Sequence, residues 1–420
     1  MPKVIAGMSG GVDSSVAAYL LKEKGYEVEG ISFLMWEKPK GTSPACCSLR
    51  AVEETSKTAR ELGIPHDVID VRSDFADKVI TPFVHAYISG LTPNPCILCN
   101  RHIKFPYLLK EAEKRGAGYI STGHYARIGR QDTRIQGFKD SRTTTDFSHQ
   151  TSVLLKKGVD TKKDQSYVLH VLTQDMLKKL ILPLGDYTKN DVREIAEKLN
   201  LAAAKRAESQ EICFIPERDY LTFIQRISPL EREPGPVVDM HGNIIGTHKG
   251  IHGYTIGQRK GLGIASPEPL YVVDIDIQKN TVYAGPRDSV KKKEFYVHEL
   301  NWLTPPPLMK KDKEGLEKTP GAFRATVKVR STMKDEPATI YLKTNPPLPP
   351  FAKGGRGGLS GEIVHVVFDE PQWAPAPGQS AVFYDNDIVI GGGIITSKNV
   401  SDKLYGRHTC RKTSHKQDLR

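Results

Sequence analysis

The chain opens with Lys3-Val4-Ile5-Ala6-Gly7-Met8-Ser9-Gly10-Gly11-Val12-Asp13-Ser14-Ser15, a short apolar run that leads into glycines and serines. The apolar run predicts a buried strand. Apolar residues then recur at helical spacing from Val12, and Gly25 is placed to end that helix. A strand, a glycine-rich loop and a helix in this order bring backbone N–H groups and the positive end of the helix dipole together. The stretch therefore predicts a phosphate-binding loop at the start of an α/β domain.

Strand-like and helical stretches continue to alternate after this loop. Strands are predicted at residues 26–33, 66–71 and 118–122, with helices between them. Such alternation is typical of a doubly wound parallel sheet, in which ligands bind at the carboxyl ends of the strands. Thr122-Gly123-His124 follows one of these strands, so we expect it at the same edge of the sheet as the loop.

Helical patterns continue to about Leu201, and the sequence pattern then changes. From Gly235 onward, frequent glycines and short β-like runs with turn signals predict a small β-barrel. The polar, Thr-rich segment Arg130–Asp164 is predicted to be a surface addition. We expect an α/β domain at residues 1–203, a small linker domain at 204–276, a C-terminal β-barrel at 277–398 with a low-complexity insertion at 344–361, and a basic disordered tail at 399–420.

Composition limits the location and the partners. With 38% hydrophobic and 26% charged residues, and no apolar run near the roughly 18 residues that span a bilayer, a cytoplasmic protein without membrane contact is expected. The chain also begins without a secretory signal pattern. The net charge of +11 permits a nucleic-acid partner, but seven Lys/Arg against two Asp/Glu from residue 398 onward supply much of it.

The opening loop differs from a Walker A loop, because the chain contains no Gly-Lys dipeptide. The loop instead matches S-G-G-x-D-S, the signature of the pyrophosphatase-loop ATPases. That resemblance implies that ATP is split between its α and β phosphoryl groups and that AMP is transferred to an oxygen of the substrate. A carboxylate at Asp13 inside an anion site predicts a Mg²⁺ ion that accompanies the nucleotide.

Six cysteines lie in a chain where structural disulfides are not expected. Cys96-x-x-Cys99 lies in a Pro-rich loop ahead of a predicted helix, and Cys213 lies in a β-like run. One hypothesis is that two cysteines cooperate, one carrying sulfur and the other attacking it, with Arg101 and Lys104 favouring the thiolate. A second is half of a zinc site, and a third is three ligands of a 4Fe-4S cluster. No catalytic role is predicted for the cysteines at 46, 47 and 410.

Loop and cysteines belong to a longer series of motifs that resembles the tRNA-specific 2-thiouridylase family (MnmA/TrmU). The matching motifs, in chain order, are Gly7–Ser14, Leu91–Pro95, Cys99–Phe105, Thr122–Tyr125, Lys163–Tyr167, Ser209–Phe214, Gly253–Gly263 and Pro377–Ala381. The resemblance implies thiolation of the wobble uridine of tRNA. ATP adenylates the C2 oxygen with release of pyrophosphate, and sulfur from a persulfide then displaces AMP.

The resemblance also implies roles for individual residues. Cys213 would hold the persulfide, and Cys99 would be the second catalytic cysteine, which ends in a disulfide bond with Cys213. ATP would be bound by Gly7, Met8, Ser9, Gly10, Gly11, Val12, Asp13, Ser14, Met35 and Gly123. The tRNA would be contacted by Asn94, Pro95, Cys96, His124, Lys163, Asp164, Gln165, Arg330, Ser331 and Gln379, and by loops of the linker domain. The partner implied upstream is a persulfide carrier protein or a desulfurase.

Cys96 departs from the commonest family pattern, in which many members have Asp. A cysteine is a poor acid/base but a good iron ligand, so the same reaction through a 4Fe-4S cluster on Cys96, Cys99 and Cys213 is an alternative hypothesis. A second alternative is a pyrophosphatase-loop synthetase that adenylates a small carboxylate or amide. A third is a non-catalytic RNA-binding protein with a vestigial nucleotide site.

Overall fold

The computed structural model describes residues 1–36, 49–132, 151–205, 212–215, 220–228, 233–306, 321–342 and 363–396. The cysteines at 46, 47 and 410, the predicted insertion at 344–361 and the predicted tail at 399–420 lie outside these ranges.

Helices and strands alternate in the first half of the chain, and strands dominate the second. The strands are β1 (Lys3–Gly7), β2 (Glu27–Leu34), β3 (His66–Asp70), β4 (Tyr119–Thr122), β5 (Ala126–Asp132), β6 (Thr151–Lys157), β7 (Leu180–Ile181), β8 (Gly235–Val238), β9 (Ile244–His248), β10 (Tyr271–Asp276), β11 (Thr281–Gly285), β12 (Lys291–Trp302), β13 (Ala322–Lys328), β14 (Glu336–Leu342), β15 (Val364–Trp373), β16 (Ser380–Asp385) and β17 (Ile388–Thr396). The α-helices are α1 (Val12–Glu23), α2 (Leu49–Glu61), α3 (Arg72–Phe75), α4 (Thr81–Ile88), α5 (Pro95–Cys99), α6 (Phe105–Lys114), α7 (Ser166–Leu169), α8 (Gln174–Lys179), α9 (Lys189–Lys198) and α10 (Tyr220–Ile227). Two π-helical turns lie at Ala76–Ile80 and Asn100–Lys104, and 3₁₀ turns lie at Ala202–Lys205, Ile251–Gly253 and Arg287–Val290.

A five-stranded parallel sheet forms the centre of the N-terminal domain, in the order β3-β2-β1-β4-β7. Side chains of β1 alternate between two faces, as the pleat requires. Val4 and Ala6 pack in a cluster with residues of α1 and α2, while Ile5 belongs to the larger cluster that contains residues of α4 and α6. Both faces of the strand are therefore buried, and the predicted doubly wound fold is confirmed.

The C-terminal domain is a closed antiparallel barrel of six strands, as predicted. Its strands follow the order β12-β15-β14-β13-β16-β17, and β17 pairs again with β12. Large apolar side chains fill the interior, among them the buried Phe323, Phe368 and Phe383. Closure removes the open sheet edges that would otherwise invite pairing with other chains.

The hairpin β5–β6 extends this barrel sheet from within the N-terminal part of the chain. Strand β6 pairs with β17 through Lys156 and Ile388, and the N–H of Lys157 donates to the carbonyl of Asp387 at 2.7 Å. Val153, Leu154 and Leu155 of β6 are all buried, and Val153 and Leu155 belong to the core of the N-terminal domain. The prediction of a polar surface addition over Arg130–Asp164 is therefore wrong for the buried residues of β6.

The linker domain contains a four-stranded sheet in the order β10-β11-β8-β9. Strands β10 and β11 form an antiparallel hairpin, and β11 pairs in parallel with β8. The predicted boundary between residues 276 and 277 divides this hairpin, and in the structure the sheet continues to Gly285. The sequence pattern missed this because a strand followed by a turn has the same appearance inside a domain as at its end.

The helix that carries Cys96 and Cys99 begins earlier than predicted. Helix α5 starts at Pro95 and continues through the π-helical turn Asn100–Lys104 into α6. Asn94 caps it, since its side chain accepts a hydrogen bond from the N–H of Cys96 at 3.1 Å. An Asn cap followed by proline at the first helical position is a favourable start, so the predicted loop is helical from Pro95 onward.

Cys213 lies in a turn and not in the predicted strand. The N–H of Ile215 donates to the carbonyl of Ile212 at 3.0 Å. The turn inserts Phe214 into the core, where its ring centroid lies 5.5 Å from that of Phe75 and 5.4 Å from that of Phe83. Burial of this aromatic side chain fixes the position of the neighbouring cysteine.

No helix in the described ranges is long and apolar enough to cross a membrane.

Buried polar groups join the barrel to the N-terminal domain. The hydroxyl of Tyr167 donates to the carbonyl of Ser380 at 2.8 Å. The amide of Asn301 donates to the carbonyls of His170 at 2.6 Å and Leu172 at 2.9 Å. The His170 ring is itself buried, and its Nδ1 donates to the carbonyl of Tyr167 at 2.8 Å. These bonds make His170 part of the seam between the two domains.

His170 is expected to make the protein sensitive to acid. Burial lowers the pKa of its imidazole from 6.5 to about 4. As the pH falls from about 6.5 to about 4, the unfolded chain binds a proton that the folded protein resists, so stability is lost at up to about 1.4 kcal/mol per pH unit. His170→Asn retains a side-chain N–H but cannot titrate, so the melting temperature should fall less steeply with pH in this window. His241→Asn, at an exposed histidine, is the control, and an equal change of slope in both variants would contradict the assignment.

Candidate active site

The loop between β1 and α1 is closed by its own serines. Gly10 adopts a φ of +76°, a conformation that glycine reaches without strain. The N–H of Ser9 donates to the hydroxyl of Ser14 at 3.1 Å, and that hydroxyl donates to the carbonyl of Gly11 at 3.1 Å. These bonds hold the loop against the first turn of α1, where the N–H groups at a helix start can bind an anion.

The end of strand β4 packs directly on this helix start. A Cβ atom at Gly123 would lie 2.8 Å from the backbone carbon of Asp13 and 2.8 Å from the backbone nitrogen of Ser14. Only a glycine permits this approach, since real Cβ atoms do not come so close to backbone. Met35, which directly follows the last residue of β2, is buried and lies at the same edge of the sheet. The predicted ATP residues thus lie at the ends of three adjacent parallel strands.

Asp13 is held by two partners from distant parts of the chain. Its Oδ1 accepts a hydrogen bond from the hydroxyl of Tyr125 at 2.6 Å and another from the ammonium of Lys189 at 2.6 Å. The ion pair balances the negative charge of a carboxylate inside an anion-binding loop. The predicted Mg²⁺ is therefore not needed to explain why an acidic residue is tolerated there.

His124 follows Gly123 and is buried. Its Nδ1 shares a hydrogen bond of 2.8 Å with the hydroxyl of Thr122, and its ring stacks on Phe105 with centroids 5.9 Å apart. Burial, assisted by the positive charge of Lys104, holds the pKa of the imidazole well below its usual value. At neutral pH the ring is therefore uncharged, so a contact with tRNA would not be an ion pair with phosphate.

The three motif cysteines differ in exposure, and two of them, Cys99 and Cys213, pack in the same core cluster. Cys96 is exposed, Cys99 is buried and Cys213 is half-buried. Cys99 belongs to the large cluster of the N-terminal domain, and Cys213 packs against that cluster. Helix α5 also packs against the π-helical turn Ala76–Ile80, whose flanking residues Phe75 and Phe83 hold Phe214. The helical segment from α3 to α4 therefore packs against both the helix that carries Cys99 and the turn that carries Cys213.

The structure holds these cysteines as thiols. No disulfide joins Cys96, Cys99 and Cys213. Within the ranges that the structure describes, no group of three or more His, Cys, Asp or Glu side chains is arranged to hold a metal ion. The three cysteines are therefore not arranged as a preformed 4Fe-4S site.

The barrel fixes the segment that leads into α5. The N–H of Thr92 donates to the carbonyl of Pro377 at 2.9 Å, and the side-chain amide of Gln379 donates to the carbonyl of Thr92 at 2.9 Å. Gly378 lies between these bonds with a φ of +90°, and a Cβ atom there would lie 2.9 Å from the Cβ of Leu91. Gln379, predicted to contact tRNA, thus holds the chain two residues before Asn94.

Two other predicted tRNA residues also make internal contacts. The carboxylate of Asp164 accepts hydrogen bonds from the N–H groups of Gly158 and Ser166, both at 3.1 Å, and forms an ion pair with Lys328 at 3.5 Å. The guanidinium of Arg330 donates to the carbonyls of Ile256 at 2.9 Å and Ala374 at 3.3 Å. Asp164 therefore links the N-terminal domain to the barrel, and Arg330 links the barrel to the linker domain.

The remaining predicted tRNA residues are more accessible. Ser331 is exposed, and Lys163 and Gln165 are half-buried beside Asp164. Gln165 exchanges two hydrogen bonds with the backbone of Tyr125, at 2.8 and 3.0 Å. Its position is thereby tied to the residue that bonds Asp13.

Sequence reasoning missed Lys189, Tyr125 and Gly378 as site-forming residues. Tyr125 stands at the end of a motif that was recognised, and Lys189 follows the N-cap Thr188, whose capping box with Asp191 marks the start of α9. Neither signal indicates a contact with Asp13, because the pairing spans 112 positions for Tyr125 and 176 for Lys189.

The fold and the loop together define an α/β protein of the HUP-domain class with a phosphate-binding loop at the first strand. Residues 2–217 match the family model of the tRNA methyl transferase HUP domain. Residues 222–286 match its PRC-barrel domain, and residues 359–395 match the aminomethyltransferase β-barrel domain.

Curated relatives share nearly the whole chain. The tRNA-specific 2-thiouridylase MnmA 1 of Caldanaerobacter subterraneus subsp. tengcongensis is 45% identical over 400 residues, which cover 94% of this chain and 98% of the relative. The MnmA proteins of Acetivibrio thermocellus and Clostridioides difficile are 43% and 42% identical, each over 94% of this chain and at least 98% of theirs. The chain belongs to the tRNA-specific 2-thiouridylase family, as the motifs predicted.

The turn at Gly378 allows a test of how the barrel supports the cysteine helix. Gly378→Ala should destabilise the protein by about 2–4 kcal/mol, because it combines strain at positive φ with a clash against Leu91 and Thr92. Gly242→Ala is the matched control, since Gly242 has the same φ of +90° with nothing within 4 Å, and should cost only about 1–2 kcal/mol.

Chemical denaturation would measure both losses, and the rate at which a thiol reagent labels Cys99 would report the local effect. Labelling should be faster in Gly378→Ala than in Gly242→Ala. Equal stability losses and equal labelling rates would show that the turn does not support the helix.

Proposed function

We propose that this protein is an ATP-dependent transferase that replaces the C2 oxygen of the wobble uridine of tRNA with sulfur. The observation that carries the proposal is the approach of Cys99 and Cys213 to one wall of the core, although more than a hundred residues separate them in the chain. A phosphate-binding loop in the same domain supports the use of ATP. The relatives named tRNA-specific 2-thiouridylase, which match over almost their full length, support tRNA as the substrate.

In the first step the uridine C2 oxygen attacks the α-phosphorus of ATP. The bond between the α-phosphorus and the bridging oxygen breaks, and pyrophosphate leaves. The N–H groups at the start of α1, with the hydroxyls of Ser9 and Ser14, would bind the phosphates, and Met35 and Gly123 would border the nucleotide. A Mg²⁺ ion that accompanies ATP would supply further positive charge, with Asp13 as the nearby carboxylate. Uridine would reach the site by leaving the base stack.

In the second step sulfur replaces the adenylated oxygen. The terminal sulfur of a persulfide on Cys213 attacks C2, and AMP leaves with the former C2 oxygen. The Cys99 thiolate then attacks the Cys213 sulfur, which breaks the S–S bond and leaves the outer sulfur on the uridine. The product is 2-thiouridine with a Cys99–Cys213 disulfide, which an external thiol must reduce with two electrons before the next cycle.

Contacts with tRNA are assigned to the surface beside these cysteines. Asn94, Pro95 and Cys96 at the start of α5 would border the extruded base, and Lys163 and Ser331 would contact the backbone. Asp164, Gln165, Arg330 and Gln379 would act by holding these segments in place, in agreement with their hydrogen bonds inside the protein. His124 would contact the tRNA as an uncharged imidazole.

The reaction has requirements beyond the chain itself. A persulfide on Cys213 needs a sulfur donor, so a persulfide carrier protein or a desulfurase would act upstream. Because tRNA and ATP are both found in the cytoplasm, the protein is proposed to act there.

The role of the two catalytic cysteines in sulfur transfer can be tested separately from the adenylation step. Cys99→Ala and Cys213→Ala should each reduce 2-thiouridine formation at least about 1000-fold, because each removes an obligatory covalent partner. Both variants should keep tRNA-dependent release of pyrophosphate from ATP, within about threefold of the unmodified protein, since neither cysteine binds phosphate. Cys410→Ala is the control, a change of the same kind at a cysteine with no predicted role.

Each alternative function predicts a different result in this assay. Pyrophosphate release that requires a small carboxylate or amide in place of tRNA would indicate a synthetase. No release from ATP with any substrate would indicate a non-catalytic RNA-binding protein.

Cys96 distinguishes persulfide chemistry from a cluster mechanism. We expect protein purified without oxygen to contain no iron or acid-labile sulfide and to be fully active with a persulfide donor. Cys96→Asp should then retain activity, because aspartate is the commonest residue of the family pattern at this position. Stoichiometric iron that Cys96→Asp loses together with activity would contradict the persulfide mechanism and favour the 4Fe-4S alternative.

A further inference from the structure

The phosphate loop lacks a lysine of its own, but the fold supplies one from elsewhere. Lys189 is the first residue of α9, and its ammonium lies 2.6 Å from Oδ1 of Asp13 in the first turn of α1. The lysine is only 6% exposed. A buried ammonium at a phosphate-binding helix start places positive charge where an anionic ligand binds.

The position of Lys189 is set by several independent contacts. The capping box between Thr188 and Asp191 defines the start of α9. The N–H of Lys189 donates to the carboxylate of Asp160 at 2.9 Å, which fixes its backbone. Its ammonium also lies 5.8 Å from the ring centroid of Tyr125, whose hydroxyl bonds the same oxygen of Asp13. The side chain is therefore directed at the loop and does not extend along the surface.

We propose that Lys189 is a phosphate-binding residue that contacts the β- and γ-phosphates of ATP, and that Asp13 holds its ammonium at the loop. The inference rests on the proposed ATP-dependent function and adds a binding residue to it. An ammonium group has three N–H donors, so it can bridge a carboxylate and a phosphate oxygen. It also offsets the repulsion that the Asp13 carboxylate would otherwise exert on an entering triphosphate.

A purely structural lysine would behave differently from a phosphate-binding one. If Lys189 only joins α9 to α1, its loss loosens the loop for every nucleotide. If it contacts the outer phosphates, its loss weakens ligands that carry them and spares AMP, which has only the α-phosphate. The ratio of ATP affinity to AMP affinity therefore separates the two roles.

The experiment compares Lys189→Met with the unmodified full chain by calorimetric titration of ATP, inorganic pyrophosphate and AMP. We expect Lys189→Met to weaken ATP and pyrophosphate about 10- to 100-fold, the range of a charge-assisted hydrogen bond, and AMP less than about threefold. Lys189→Gln, which retains a polar side chain, should show the same selective loss. It replaces Lys189→Met in the comparison if Lys189→Met lowers the melting temperature.

Lys157→Met is the matched control. Lys157 also pairs with an aspartate, at 2.8 Å from Asp335, and also lies over a tyrosine ring, 4.4 Å from the centroid of Tyr384, but it belongs to the β5–β6 hairpin. Its loss should leave the ratio of ATP to AMP affinity unchanged.

Equal weakening of ATP and AMP in the Lys189 variants, or the same change in ratio for Lys157→Met, would overturn the inference. A different result would contradict the proposed function alone: the unmodified protein binds ATP but does not thiolate tRNA. Absence of ATP binding by the unmodified protein would overturn both.

Discussion

Parallel pairing of β1 with both of its neighbours is the constraint on which the site depends. Gly7 is in register with Ile31 of β2 on one side and with Thr122, the last residue of β4, on the other, so β1 and β4 end at one level while β2 continues to Leu34. The phosphate loop and Gly123 must then meet, and they meet so closely that no side chain fits between them. A shift of register by one residue would turn the alternate side chains of β1 away from the two clusters that they fill.

The barrel takes part in the organisation of the site from a distance. It contacts the N-terminal domain through the turn at Gly378, through Asn301 beside His170, and through β17 beside β6. The first of these contacts lies just before the helix that carries Cys96 and Cys99. Helix α5 is therefore fixed at its start by the barrel and along its length by the core, which restricts where the Cys99 thiol can be.

Much of this arrangement is local in sequence and could be predicted. The apolar run of β1 indicated a buried strand, the alternation of strands and helices indicated the parallel sheet, and short β-runs indicated the barrel. The contacts that complete the site are not local. Nothing near Lys189 indicates that it pairs with Asp13, and a polar segment gave no sign that β6 joins β17. The start of α5 was missed because prolines suggested a loop, although Asn94 and Pro95 are also a favourable helix start.

The pairing of β6 with β17 has a consequence for the synthesis of the protein. The hairpin β5–β6 leaves the ribosome more than two hundred residues before Ile388, the residue that pairs with Lys156. During that interval the growing chain carries a strand edge whose permanent partner has not yet been made, and such edges associate readily with other chains. The N-terminal domain is therefore complete only after β17 has been synthesised. A chain that stops early retains the phosphate-binding loop but lacks the barrel contacts that hold the start of α5.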